Sequence, residues 1–236
     1  FSLAMPLDNL FFLLGESGCL DFPVLRFYTW SKPTISIGYH QSFDDFDLNL
    51  LKTNNIGIVK RITGGRAVAH FNDITYSVIL PGFLNIDHKS LYSRTHQIFH
   101  YALLNAGIQT DFTQSNFDLT NRKEIPKTCF SSSAKWELRL NDKKCVGSAQ
   151  KIGRNKTILQ HGSIPIGNDY LQLVKYLDDC EAKKEKLAEY LKKKTACIAD
   201  WNPSCKFDSL VNSFVSSFQQ ELNIQNFIPF QTKDYI

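Results

Sequence analysis

A chain of 236 residues with formal charge +4, 43% hydrophobic and 21% charged has the composition of an ordinary globular protein, which excludes disordered and collagen-like classes. A charge this modest suits an acidic partner or an anionic ligand and gives no support for nucleic-acid binding. Six cysteines, at 19, 129, 145, 180, 197 and 205, form no CxxC pair, so neither a metal site nor a disulfide framework is spelled out, and a reduced, cytoplasmic protein is expected.

Residues 3–16 read as a helix, whose apolar run Leu10–Leu14 is too short to span a membrane and lacks the basic flank of a signal peptide. Strands are predicted at 24–30 and 34–38, separated by Pro33, and a helix at 42–54. A β-branched strand at 56–62 leads into a Gly-Gly loop, and a further strand at 74–80 is stopped by Pro81. The next helix runs from Ser90 to Asn105, with Gly107 as its stop signal. Residues 114–133 are polar and irregular, a long loop of the kind that often carries function. Trp136–Leu140, Asn141-Asp142 and Lys143–Ala149 read as a β-hairpin, followed by a strand at 157–166.

Residues 170–194 read as one highly charged helix, and its terminal Lys192–Lys194 run complements the helix dipole. A last helix runs from Asp208, as N-cap, to about 222, with Leu210, Phe214, Phe218 and Leu222 as a core stripe. Strands and helices in irregular order predict an α/β (α+β) fold, mixed sheets flanked by helices. The expected organisation is a single catalytic domain over 1–236, with its C-terminal helices from about 170 and no accessory domain after them.

The most local chemical signal is Arg61-Ile62-Thr63-Gly64-Gly65-Arg66-Ala67-Val68-Ala69-His70. Adjacent glycines after a strand permit positive φ and close approach of a ligand, and the flanking arginines offer cationic forks. The same residues also suit a tight turn with two solvated arginines. The spacing is neither a Walker loop nor a dinucleotide fingerprint.

Cys129 lies in the long loop beside Lys127, where a thiol can be accessible and acidified; an inert thiol is the alternative. Period-two alternation puts Lys144 on one face with Val146, at a half-buried surface where a lysine can polarise a carbonyl or phosphate oxygen, or snorkel from a strand edge. Gly147-Ser148-Ala149 and His161-Gly162 place small residues in strands, which marks close approach or a bulge. His96 and His100 stand at i, i+4 without a third ligand and read as surface or packing residues; no metal site is expected.

In order, Arg26–Trp30, Ile37–Gln41, Thr63–Val68 with His70, Thr75-Tyr76-Ser77, Lys144 with Gly147–Gln150, and Gln160–Ile164 resemble the lipoate-protein ligase and octanoyltransferase family of the biotin/lipoate ligase superfamily, over most of residues 4–222. The resemblance implies transfer of an octanoyl or lipoyl group to a lysine of a lipoyl domain of 2-oxoacid dehydrogenases or of the glycine-cleavage H protein. It implies that the Gly-Gly loop and the Gly-Ser-Ala strand line the acyl pocket, and that the active-site lysine is Lys144. Ligases of this family activate lipoate with ATP and Mg. Its transferases need no cofactor, take octanoyl from acyl carrier protein onto a cysteine and pass it on from a thioester. In one transferase branch that cysteine precedes Phe in the loop before the hairpin, the place of Cys129-Phe130. Lys60 and Phe71 depart from the family pattern of Arg-Arg and of an acidic residue after the histidine. An acyl-binding subunit without activity is the non-enzymatic alternative.

Overall fold

The computed structural model describes residues 4–114, 136–205 and 207–223. In chain order the elements are α1 (Ala4–Glu16), β1 (Val24–Tyr28), β2 (Thr34–Ile37), α2 (Leu48–Thr53), β3 (Gly57–Lys60), β4 (Val68–His70), β5 (Asp73–Leu80), α3 (His88–Asn105), β6 (Asp111–Gln114), β7 (Trp136–Leu140), β8 (Lys143–Lys144), β9 (Gly147–Ile152), β10 (Ile158–Pro165), α4 (Glu181–Lys194) and α5 (Phe207–Leu222). An antiparallel sheet in the order β1-β5-β10-β9 forms the centre; β3-β2-β4 and β6-β7-β8 form two smaller sheets.

Register sorts the central sheet into two unlike faces. Arg26, Ser77, His161 and Ala149 share one cross-strand row, and Phe27, Tyr76, Gly162 and Ser148 the next, which points the opposite way. On the second face Ile74, Tyr76 and Val78 pack with Phe99 of α3 and Phe214 and Phe218 of α5. Phe214 stacks on Phe27 at 5.5 Å and meets Phe99 edge-on at 5.0 Å. On the first face Phe12 of α1 covers Ile79 and Leu159, while Arg26, Asp73, Thr75, Ser77, His161 and Ser163 give the rest a polar character. The β3-β2-β4 sheet has its own core, in which Ile35 and Ile37 meet Tyr170, Leu173, Leu187 and Leu191.

Several expected boundaries shift. The helix predicted over 42–54 is interrupted, because Asp47 caps α2 by accepting from the Leu50 amide at 2.8 Å. The single helix predicted over 170–194 is a 3-10 segment, Asn168–Tyr176, an extended break, and then α4. Backbone bonds cause the break: the Asp178 amide donates to the Asp45 carbonyl at 3.0 Å, and the Asp47 amide to the Tyr176 carbonyl at 3.0 Å. Strands β4 and β6 were not expected. The predicted loop over 114–133 lies outside the described residues but for Gln114, the last residue of β6.

The hairpin turn forms as expected, with Asn141 and Asp142 at φ +48° and +59°. Its second strand, however, is not continuous. Lys143–Lys144 pairs with β7, the chain crosses at Cys145–Val146, and Gly147–Ile152 joins β10 of the central sheet. The expected alternation therefore fails, and Lys144, Cys145 and Val146 are all buried. Helix α3 starts at His88, where Asp87 accepts from the Ser90 amide at 2.9 Å, and Gly107 follows it at φ +76°. Asp208 sits inside the first turn of α5; Leu210, Phe214 and Phe218 are buried, but Leu222 is exposed. Among the described residues no helix is long and apolar enough to cross a membrane.

Candidate active site

The Gly-Gly loop is held from below and from within. Gly38, at the end of β2, lies against Gly65, and a Cβ at position 38 would collide with the Gly65 carbonyl oxygen. Gly65 takes φ +89°, while a side chain at Gly64 would meet nothing. Gly38 and Gly65 thus serve strand-to-loop contact, while Gly64 faces open space. Arg61 is 5% exposed. Its Nη1 donates to Ser36 O at 2.7 Å and Ser36 Oγ at 2.8 Å, and its Nη2 to Gly64 O at 3.2 Å and Arg66 O at 2.9 Å. Sequence reasoning placed this guanidinium toward an anion; these bonds are to the protein itself.

A narrow cleft opens on the polar face of the central sheet, where it meets β2 and β4. Seven predicted residues border it: Arg61, His70, Gly147, Ser148, Ala149, His161 and Gly162. Thr63 reaches it through His161, since Thr63 Oγ1 lies 2.6 Å from His161 Nε2. Ala67 is buried instead in the core of the smaller sheet, and Gly64, Gly65 and Arg66 are not part of the wall. Gly162 has no room for a side chain, because a Cβ there would run into the Gly147 carbonyl and the Tyr76 ring.

Behind the cleft, Asp8 of α1 is a buried hub. It accepts from Arg26, from Tyr28 Oη at 3.0 Å and from Ser77 Oγ at 2.6 Å, and lies 3.4 Å from His161 Nδ1. Burial opposes the charge on Asp8, but His161, Arg26 and Ser77 outweigh it and hold the carboxyl below its ordinary value. Burial pulls the His161 imidazole down despite Asp8, so this ring is held neutral.

On the other face a hydrogen-bond chain runs from Gln150 to His96, and the direction of its first links is fixed. Gln150 Nε2 donates to the His88 carbonyl, which can only accept, and to Gln160 Oε1, both at 2.8 Å. Gln160 Nε2 then donates to Tyr76 Oη at 3.1 Å, so the single Tyr76 proton goes to Ser148 Oγ at 2.7 Å. Ser148 Oγ lies 2.8 Å from His96 Nε2. His96 is fully buried, under the Tyr92 ring at 4.4 Å. Burial, reinforced by the charge of Lys144, pulls its pKa down to about 3.

An unfolded histidine takes its proton near 6.5. Between about 6.5 and 3 the unfolded chain therefore binds the extra proton, and this group's contribution to stability falls as pH falls, by at most about 1.4 kcal/mol per unit. His96→Gln keeps a hydrogen-bonding partner for Ser148 without a titrating ring. Urea unfolding at pH 7 and 4.5 is expected to show the variant losing about 2 kcal/mol less than wild type over that interval; equal losses would contradict it.

Cys129 lies outside the described residues. Lys144 is 7% exposed, at the point where the chain passes from one sheet to the other. Sequence reasoning missed Asp8, Ser36, Asp73, Tyr76 and His96 as neighbours of the site. One signal was available: Asp73, Thr75 and Ser77 form a period-two polar stripe in an otherwise apolar strand. Among the described residues no cluster of His, Cys, Asp and Glu is placed to hold a metal ion.

The same framework occurs in known proteins. Residues 12–220 match the model of the lipoyl protein ligase A/B catalytic domain. The octanoyltransferase LipM of Clostridioides difficile (strain 630) is 32% identical over 240 residues, covering 99% of this chain and 87% of the relative. The octanoyltransferase LipM of Staphylococcus epidermidis (strain ATCC 35984) is 33% identical over 232 residues, covering 93% and 82%. Among solved structures, a bi-partite lipoate protein ligase from Thermoplasma acidophilum superposes with TM-score 0.71 at 22% identity, covering 96% of this chain and 83% of the other. The chain belongs to the lipoyl protein ligase A/B catalytic domain family, and the resemblance read from its motifs and the mixed α/β fold are borne out.

Proposed function

We propose that this protein is an acyltransferase of protein lipoylation, moving an octanoyl group to a lysine of a lipoyl domain. The observation that carries this reading is the likeness, along nearly the whole chain, to relatives that are octanoyltransferases. The donor in this reading is an acyl carrier protein, and the acceptors are lipoyl domains of 2-oxoacid dehydrogenases or the glycine-cleavage H protein. Cys129 is the nucleophile: its thiolate attacks the octanoyl thioester, and the carrier's sulfur leaves with the C–S electron pair. Lys144 acidifies the thiol and stabilises the oxyanion from a buried position. The cleft residues His70, Gly147, Ser148, Ala149, His161 and Gly162 bound the acyl group.

No cofactor enters this reaction. ATP-dependent activation fits the residues less well. Lys60 is exposed over the Phe43 ring at 5.8 Å, and Arg61 donates to Ser36, Gly64 and Arg66, which leaves a thin grip for nucleotide phosphates. The test is intact mass after incubation with octanoyl-carrier protein: one octanoyl adduct on wild type and none on Cys129→Ser, which also loses transfer. A fully active Cys129→Ser, or pyrophosphate release driven by lipoate and ATP, would overturn the reading.

A further inference from the structure

The polar side chains that border the narrow cleft are all bonded within the protein. Ser36 Oγ lies 2.7 Å from His70 Nε2 and accepts from Arg61 Nη1 at 2.8 Å, and His70 Nδ1 lies 2.8 Å from Asp73 Oδ2. Thr75 Oγ1 accepts from Trp30 Nε1 at 2.9 Å and, like Ser163 Oγ, donates to Asp73 Oδ2. His161 is held by Thr63 at 2.6 Å, and Ser148 by Tyr76 at 2.7 Å. Moving any of these groups breaks a hydrogen bond that the protein makes to itself. Gly147, Ala149 and Gly162 add only backbone and one methyl group. Such a wall suits an apolar chain, and it does not yield.

Two larger apolar side chains complete the wall, Val68 and Met5. Val68 is β-branched and buried in the core of the smaller sheet, so its rotamer is fixed. Met5 is half-buried in the first turn of α1, and its unbranched thioether turns about three bonds. Helix α1 brings it there by crossing the first face of the central sheet at one turn per cross-strand row. Phe12 packs on Ile79 and Leu159, Asp8 bonds to Ser77 and lies against His161, and Met5 borders the cleft with Thr75, Ser163 and Gly147. A helical turn rises about 5.4 Å and two strand residues about 6.8 Å, near enough for the match to hold over three rows. The bonds of Asp8 to Arg26, Tyr28 and Ser77 pin the helix one turn beyond Met5. The backbone at Met5 is therefore anchored, and its side chain is the part of the wall free to adjust.

We propose that Met5 is the adjustable wall of the acyl cleft and the residue that sets how long an acyl chain the cleft accepts. This rests on the acyl-transfer reading above and deepens it. A chain enters by turning the Met5 side chain aside, while the paired polar groups of the wall keep their bonds. A chain longer than the space so opened meets groups that cannot move without losing a hydrogen bond. A smaller side chain at position 5 leaves room for further methylenes, and a larger one excludes chains now accepted.

The experiment measures transfer to a lipoyl domain from carrier protein loaded with hexanoyl, octanoyl or decanoyl groups, read as ratios of kcat/KM. Met5→Ala is expected to raise the decanoyl-to-octanoyl ratio about tenfold or more, and Met5→Trp to lower the octanoyl-to-hexanoyl ratio by a similar factor, the discrimination that one or two methylenes carry in an apolar pocket. Ratios that stay at the wild-type values in both variants would overturn the proposal. A second readout needs no catalysis. Met5 is the only methionine of the sequence, so methyl-labelled methionine gives it one NMR signal, identified by its loss in Met5→Ala. In wild type that signal is expected to move on addition of hexanoate, octanoate or decanoate, and further for the longer chains; a signal that none of them moves would overturn the proposal. If either variant fails to fold, the wild-type signal decides. If wild type transfers none of the three acyl groups, the acyl-transfer reading fails, and the same signal still decides whether Met5 meets an acyl chain.

Discussion

Lys144→Met is expected to lower octanoyl transfer by roughly 10²–10³-fold, the usual effect of removing one charge donor from a developing oxyanion, with little loss of stability. Methionine keeps the apolar stem in a 7% exposed site and removes only the ammonium. Arginine is not expected to restore activity, because its planar fork needs more room than a point charge on a narrow stem. A second readout separates lost charge from lost structure. Lys144 contributes to the depressed pKa of His96, so the Met variant should lift that value and lessen the acid sensitivity of the fold. Single-turnover transfer and unfolding at two pH values check both parts; wild-type transfer rates in Lys144→Met would remove this lysine from the mechanism.

Asp8→Ala is expected to be the most damaging single change to the fold. It strips one partner at once from Arg26, Tyr28, Ser77 and His161, and removes the carboxylate that faces the Arg26 guanidinium behind α1. Breaking a buried pair in this way costs about 3–5 kcal/mol, which lowers Tm by on the order of 10 °C in a chain of this size. Its pH dependence has a definite sign. The Asp8 carboxyl is held below its ordinary value of 3.8, so its contribution is complete above about pH 4 and is lost only as pH falls further. The gap between wild type and Asp8→Asn should therefore be constant from pH 5 to 8 and narrow below 4. A gap that widens in acid would assign Asp8 the wrong charge state. Tyr28, pushed well up by burial and by the Asp8 charge, stays neutral throughout.

The site was more legible in the sequence than the elements that build it. Gly64-Gly65, Lys144, Gly147–Ala149 and His161-Gly162 stand out by residue type, and five of them, Gly147–Ala149, His161 and Gly162, border one cleft. Their faces were not legible. Ser148 and Ala149 point to opposite sides of the central sheet, which only the register with β10 decides. Lys144 and Val146 were placed together by a period of two that stops applying where the chain changes sheets. His96 looked like a packing histidine because helical spacing carries no information about Ser148, 52 positions away. The break after Tyr176 depends on backbone bonds to Asp45 and Asp47, a contact that composition cannot announce.

The grip on the Gly-Gly loop also fixes when its conformational entropy is lost. Two adjacent glycines lose much freedom when they are ordered, since glycine has the most backbone freedom to lose. Here that cost is met during folding, because Arg61 ties Gly64 and Arg66 together and the side-chain-free surface of Gly38 seats Gly65. The loop therefore enters any encounter already ordered, as a fixed part of the scaffold beside the cleft.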